Sequence, residues 1–389
     1  MTHPELNLLV EHGEHRHGVS RAAVHTRHGD GAAPTHHVDR RPESGQAVHA
    51  HSFHEPFSQS VGQQPHGPMR GFRDGRAMCF HADRVDHRVG AASIGEIDSP
   101  ERVLDTVASW FPRLLETAGA NAAAVCGIGL SVPGPVDWTT GTVVQPPIMP
   151  GWDRYPIPVR LREAYAHHVR GASDDVPVLV DNDANLMAYA EQRRHYPDCA
   201  AFLLVKVSTG IGAGVVVGGE PYRGIDGGAG DIGHIRLHDR PGALCMCGSY
   251  GCLAAVASGR SIAVQLTDIG IPTSSGSDVR AHLAAGQPDA VRLAREAGQQ
   301  VGEVLVTVVT LLNPGVLVIS GDLAGNPFVT GVRELLYQRA MPRTTAHLTV
   351  ATSQLGEQAG LIGAAVMVVE HLYAPGQADA RLAAATRSS

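Results

Sequence analysis

Lysine is almost missing from this chain of 389 residues: Lys206 is the only one among 31 basic residues, the rest being arginine. Positive charge is short overall, and a formal net charge of -7 argues against a generally basic nucleic-acid surface. No apolar run approaches the ~18 residues needed to span a membrane. The opening MTHPELNLLV also lacks a basic stretch followed by an apolar one. These absences predict a cytoplasmic protein with no membrane partner. Cysteine is scarce as well. Cys79, Cys126 and Cys199 stand far apart without regular spacing, which argues against a disulfide framework. The remaining three cysteines crowd into CMCGSYGC, residues 245–252.

What is present divides by texture. Residues 1–95 hold 14 of the 22 histidines and few aliphatic residues, with no period of two or 3.6. Such a stretch cannot bury enough surface to offset chain entropy and is expected to be poorly structured. From Ser99 the texture changes. SPERVLDTVASWFPRLLETAG places Ser99 at an N-cap and Pro100 at the first helical position, with Val103, Val107, Trp110, Phe111 and Leu114 on one helical face. Downstream, AAAVCGIGLSV, VPVLV, AFLLVKV and GVLVIS read as strands, while 185–196, 288–312 and 358–373 read as helices. That alternation predicts an α/β fold.

Three stretches carry chemistry. AFLLVKVSTGIGAGVVVGG sets two strands around a turn with Thr209, Gly210, Gly212 and Gly214. Backbone free of side chains there lets N–H groups face a phosphate, although an ordinary glycine turn has the same sequence. VPVLVDNDANLMAYAE ends a strand in Asp181, Asn182 and Asp183 ahead of a helix that Asn185 or a neighbour could cap. Carboxylates at that end of a strand project into the crevice where α/β folds bind ligands, and an Asp there can take a hydroxyl proton; helix capping is the plainer reading. Cys245, Cys247 and Cys252, with His234 upstream, make a Cys3His set suited to tetrahedral zinc, and Gly248 and Gly251 let the backbone fold around the ion. The compact spacing favours a structural zinc over three buried thiols.

GIGAGVVVGGEPYRGIDGGAGDIGHI followed by CMCGSYGCLAAVASG, with SVPGPVD and DNDAN before and LNPGVLVISGDLAG after, resembles the ROK family of sugar kinases and sugar-responsive repressors. The resemblance covers about residues 99–375. It implies an actin-like, hexokinase-like (ribonuclease H-like) pair of α/β domains preceded by a poorly structured N-terminal segment. The expected divisions are an atypical segment 1–95, an incomplete first lobe 96–198, a second lobe 199–375 whose last helix packs back on the first, and a flexible tail 376–389. Asp183 then matches the base that deprotonates the sugar. Asn182, Asp231 and His234 match sugar contacts, with His234 also a zinc ligand. Thr209 to Gly214 match a phosphate hairpin, and Gly321 lies in the segment near the nucleoside. The implied partners are a sugar or sugar-phosphate effector and a second copy of the chain. ATP with magnesium is implied only if kinase activity is retained.

The departures are as specific as the matches. The D-x-G-G-T string of the first phosphate hairpin is missing from the sequence. Ala254 stands where the family usually has Glu, Asp231 replaces the commoner Glu of E-x-G-H, and PPIMPGW lacks the Asn often placed before Gly-Trp. Phosphoryl transfer depends on positioning and charge stabilisation, so the loss of one of two clamps is severe. The expectation is therefore a sugar-responsive transcriptional regulator; the alternative is an ATP-dependent sugar kinase. PELNLLVEHG looks like the first helix of a winged helix-turn-helix, which would contact operator DNA if that domain were intact. The composition of residues 16–95 matches GC-rich DNA read out of frame, and a frame disruption is expected between about His15 and Gly95.

Overall fold

The computed structural model describes residues 7–12, 76–81, 99–147 and 149–374. The expectations for residues 16–95, apart from the strand at 76–81, and for the tail 376–389 lie outside the described residues.

Ser99 caps the first helix as its sequence predicts, accepting from the Arg102 N–H at 3.4 Å. The apolar stripe that follows is split into α1 (Pro100–Ser109) and α2 (Phe111–Ala118). Pro112 has no N–H to continue the ladder, and Trp110 instead donates back to Val107 O at 3.2 Å. Both helices, with α3 (Ile157–His168), bury Val103, Leu104, Phe111, Leu114, Leu161 and Tyr165 against one face of the first sheet.

That sheet has the order β2-β1-β3-β6. Its parallel pair is β3 (Val125–Val132) with β6 (Val178–Asn182), where Val132 faces Asn182. On the other edge of β3 lies β1 (Asn7–His12), antiparallel, with Asn7 opposite Ser131 and His12 opposite Val125. β2 (Arg76–His81) pairs antiparallel with β1. The helix expected within residues 4–13 is therefore corrected: Asn7–His12 is a strand. Six residues are too few to stabilise a helix in isolation, whereas the unpaired edge of β3 offers each of them a backbone partner.

The second sheet, order β11-β10-β7-β8-β9, is built from β7 (Ala201–Val207), β8 (Ile211–Val217), β9 (Glu220–Pro221), β10 (Val316–Ser320) and β11 (Thr349–Thr352). β7, β10 and β11 run parallel, and β7, β8 and β9 form an antiparallel meander. Alternation along β7 sends Leu203, Val205 and Val207 into a core with α5 (Leu253–Ala257), α6 (Gly259–Asp268), α7 (Gly276–Ala284), α8 (Pro288–Leu312) and α9 (Asn326–Arg339). Phe202 and Leu204 point the other way, onto Met187 and Ala188 of α4 (Asp183–His195).

α4 lies between the two sheets. It packs on β7 and β8 and also on α11 (Ala359–Tyr373), which follows the short α10 (Pro342–Thr345) and in turn lies on β3. A Cβ on Gly214 of β8 would come 2.1 Å from the Ala184 carbonyl oxygen, so this glycine is required by the close approach of α4. A short hairpin, β4 (Val136–Asp137) with β5 (Thr142–Val143), leaves the first sheet towards the second. Among the described residues, no helix is long and apolar enough to cross a membrane.

Candidate functional site

The C-terminal ends of β6 in the first sheet and of the parallel pair β7 and β10 in the second come together, and the sequence motifs cluster there. At the end of β6, Asn182 rather than Asn185 caps α4: its side-chain oxygen accepts from Ala184 N at 2.9 Å and Asn185 N at 3.2 Å. Its amide donates to Gly134 O at 2.8 Å, tying the SVPGPVD turn to the same point. Asp183 opens the helix and is 8% exposed. Its Oδ1 accepts from Ala184 N at 2.7 Å, and its Oδ2 accepts from Lys206 Nζ at 2.5 Å.

Lys206 follows from the period of β7. It is two residues beyond Leu204 and four beyond Phe202, so its side chain rises on the α4 face beside the helix N-terminus. Sequence reading missed it as a site residue, although the strand alternation was the available signal. Arg223 was missed too, and Asp181, expected at the strand end to face the ligand crevice, is instead taken up by it. Arg223, beyond β9, donates from Nε to Oδ2 of Asp181 at 2.7 Å; the carboxylate is buried and also accepts from Asn182 N and Asn185 Nδ2. The guanidinium lies 4.7 Å from the ring centroid of Trp138, an exposed residue after β4. This contact joins the second sheet's meander to the first sheet's DND end.

Between β7 and β8 the turn runs through Ser208, Thr209 and Gly210, closed by Ser208 N donating to Gly210 O at 3.0 Å. Gly210 has open space where a Cβ would go, and Gly212 meets only the Ala184 methyl at 3.8 Å. Gly321, at φ +96°, lets the end of β10 close on this turn: a Cβ there would sit 2.5 Å from Val207 O. The next residue, Asp322, donates its backbone N–H to Ser208 Oγ at 3.2 Å. Burial pushes its carboxyl pKa up, against the opposing pull of the Arg280 and Lys206 charges.

The loop after β9 runs back along β8, with Ala213 N donating to Gly230 O at 2.8 Å. It delivers Asp231, half exposed and raised in pKa by burial, to the start of a short 3-10 turn, Ile232–His234. Asp231 Oδ1 lies 3.8 Å from His234 Nε2, and the other ring nitrogen, Nδ1, lies 3.7 Å from Cys245 Sγ. Cys247 Sγ and Cys252 Sγ are also 3.7 Å apart. All four donor atoms fall within 4.8 Å of one another. Tetrahedral zinc with Zn–S near 2.3 Å sets its ligand sulfurs about 3.8 Å apart, so the cluster has the right size as well as the right donors. Gly248 and Gly251, at φ +82° and +78°, make the turns that bring the thiols together. Ala254 lies in α5, its methyl facing Gly233 of the His234 loop.

The model of the ROK family matches residues 95–371. A putative xylose repressor of Caldicellulosiruptor sp. (strain Rt8B.4) is 29% identical over 311 residues, 76% of this chain and 75% of that protein. The crystal structure of a ROK hexokinase from Thermus thermophilus superposes with a TM-score of 0.55 at 32% identity, covering 70% of this chain and 88% of the other. A ROK family transcriptional regulator, described as a homologue of the E. coli MLC protein, gives 0.58 at 27%, covering 70% and 69%. Relatives thus include both repressors and kinases, and the fold is that of ROK sugar kinases. The chain belongs to the ROK family.

Proposed function

We propose that this protein is a sugar-responsive ROK regulator whose two lobes bind a sugar without phosphorylating it. Sugar contacts are assigned to Asn182, Asp183, Asp231 and His234. The observation that carries the reading is Asp322. It places a carboxylate against Ser208, at the turn where a kinase would seat a phosphate, and an anion there would meet like charge. The first sheet supports the same conclusion. β1 runs antiparallel to β3, so the chain leaves β1 beside Val125, at the opposite edge from Asn182. The D-x-G-G-T string is also missing from the sequence.

His234, Cys245, Cys247 and Cys252 would hold a structural zinc with no open ligand position, which would pin the Asp231 loop to α5. Operator DNA as a partner depends on residues outside those described; the two described segments of that region, Asn7–His12 and Arg76–His81, are strands and not a DNA-reading helix. Reading the gene's other two frames between His15 and Gly95 tests whether such a domain is encoded. The kinase alternative rests on Asp183 and the Thr209–Gly214 turn, and would need ATP with magnesium. An ADP-release assay with D-xylose, D-glucose and N-acetyl-D-mannosamine separates the two. Turnover at roughly 1–100 per second, abolished by Asp183→Asn, would overturn the regulator reading; binding without turnover supports it.

A further inference from the structure

The only lysine of the chain lies against Asp183. With Nζ 2.5 Å from Oδ2 and side chains 19% and 11% exposed, the pair is partly sheltered but still reachable from the strand-end edge. Asp183 Oδ1 is occupied by Ala184 N, so both carboxylate oxygens are held in fixed orientation. An ammonium carries three N–H donors, which lets it serve a carboxylate and a ligand hydroxyl together, and a carboxylate oxygen accepts more than one hydrogen bond. Across the sheet, Lys206 pairs with Gly212 of β8 and Ser320 of β10, neither of which carries a bulky side chain.

We propose that Lys206 is a specificity-determining residue of the cleft. With Asp183 it forms a charged donor–acceptor pair that binds one hydroxyl of a neutral sugar and rejects the same position when it is phosphorylated. The inference rests on the sugar-binding reading above. A hydroxyl satisfies the pair completely, donating to Asp183 Oδ2 while accepting from Lys206 Nζ. A fully ionised phosphate ester has no proton to donate to Asp183. It also brings a charge of about -1.5 to -2 against one ammonium that already serves Asp183, with the Asp322 carboxyl close by. The geometry therefore favours an unphosphorylated effector.

A single lysine makes the test unusually direct. Full-length protein labelled with 13C,15N-lysine gives side-chain NMR signals from Lys206 alone, and these are followed as D-xylose, D-glucose, N-acetyl-D-mannosamine and D-glucose 6-phosphate are added. Calorimetry on the same samples measures binding independently. The expected result is a saturable shift of the Lys206 signals with a neutral sugar, matching its calorimetric affinity, and no such shift with the phosphate. Lys206→Met should weaken that sugar roughly ten- to hundredfold through loss of a charged hydrogen bond. Because the wild-type titration reads Lys206 itself, poor folding of the variant would not blunt the test. A neutral sugar that binds by calorimetry without moving the Lys206 signals, or tighter binding of the phosphate, overturns the Lys206 role alone. If none of the sugars binds by calorimetry, the sugar-binding reading falls and this role falls with it.

Discussion

Arg223 and Asp181 are 42 residues apart in sequence and 2.7 Å apart in space, and their contact ties the second sheet's meander to the strand that carries Asn182 and Asp183. Asp181 is 1% exposed. Removing its partner leaves a buried carboxylate with only the Asn182 N–H and the Asn185 amide to satisfy it. Arg223→Ala is expected to cost about 3–5 kcal/mol of folding stability, measured by urea unfolding. It should also change the emission of Trp138, whose ring it covers. Wild-type stability and emission in this variant would show that the contact has no energetic weight.

Gly214 and Gly210 belong to one glycine-rich stretch yet have different surroundings. Gly214→Ala would drive a methyl to 2.6 Å from the Ala188 Cβ and nearer still to the Ala184 carbonyl, and helix backbone cannot yield. A loss of about 1–3 kcal/mol is expected from this overpacking. Gly210→Ala meets nothing within 4 Å and should stay within about 0.5 kcal/mol of wild type. Thermal melts of the two variants in parallel check this, and equal losses would refute the distinction.

Purified protein should contain close to one zinc per chain by elemental analysis. Cys247→Ser should remove the metal and lower the melting temperature, because binding free energy at a closed site is folding free energy. Cys126→Ser, outside the cluster, should do neither. Fully folded wild-type protein free of zinc would count against the metal assignment.

The Asp322 carboxyl has a raised pKa in the fold, chiefly from burial, relative to its ordinary value of 3.8. A raised carboxyl pKa means that the folded state holds its proton more tightly, so the group costs no stability below about pH 3.8 and becomes a burden as pH rises through its folded value. Asp322→Asn is therefore expected to melt higher than wild type at pH 7, with the difference closing on acidification towards pH 4. A gain that is constant with pH would point to packing instead of charge.

Patterns of short range were legible in the chain. Short apolar runs marked β3, β6, β7 and β10, longer amphipathic stretches marked α4, α8 and α11, and Ser99 marked the start of α1, because each depends on neighbours close in the chain. The Cys3His set was legible for the same reason: three of its four members lie within eight residues, so spacing alone limits what they can hold. Residues 7–12 were misread as helix because their state depends on the open edge of β3, more than a hundred residues away, which no local pattern records.

The sequence by itself determined the α/β alternation, the ROK motifs and the candidate ligands of the metal. Only the tertiary structure decided which partner each polar group has. Lys206 meets Asp183 across 23 residues, Arg223 meets Asp181 across 42, and the Asp322 N–H meets Ser208 across 114. Such pairs arise where α4, β7 and β10 are brought to one edge by burial of their apolar faces. Hydrophobic burial is non-directional and summed over the whole core, so it sets those meetings without leaving a motif at either end.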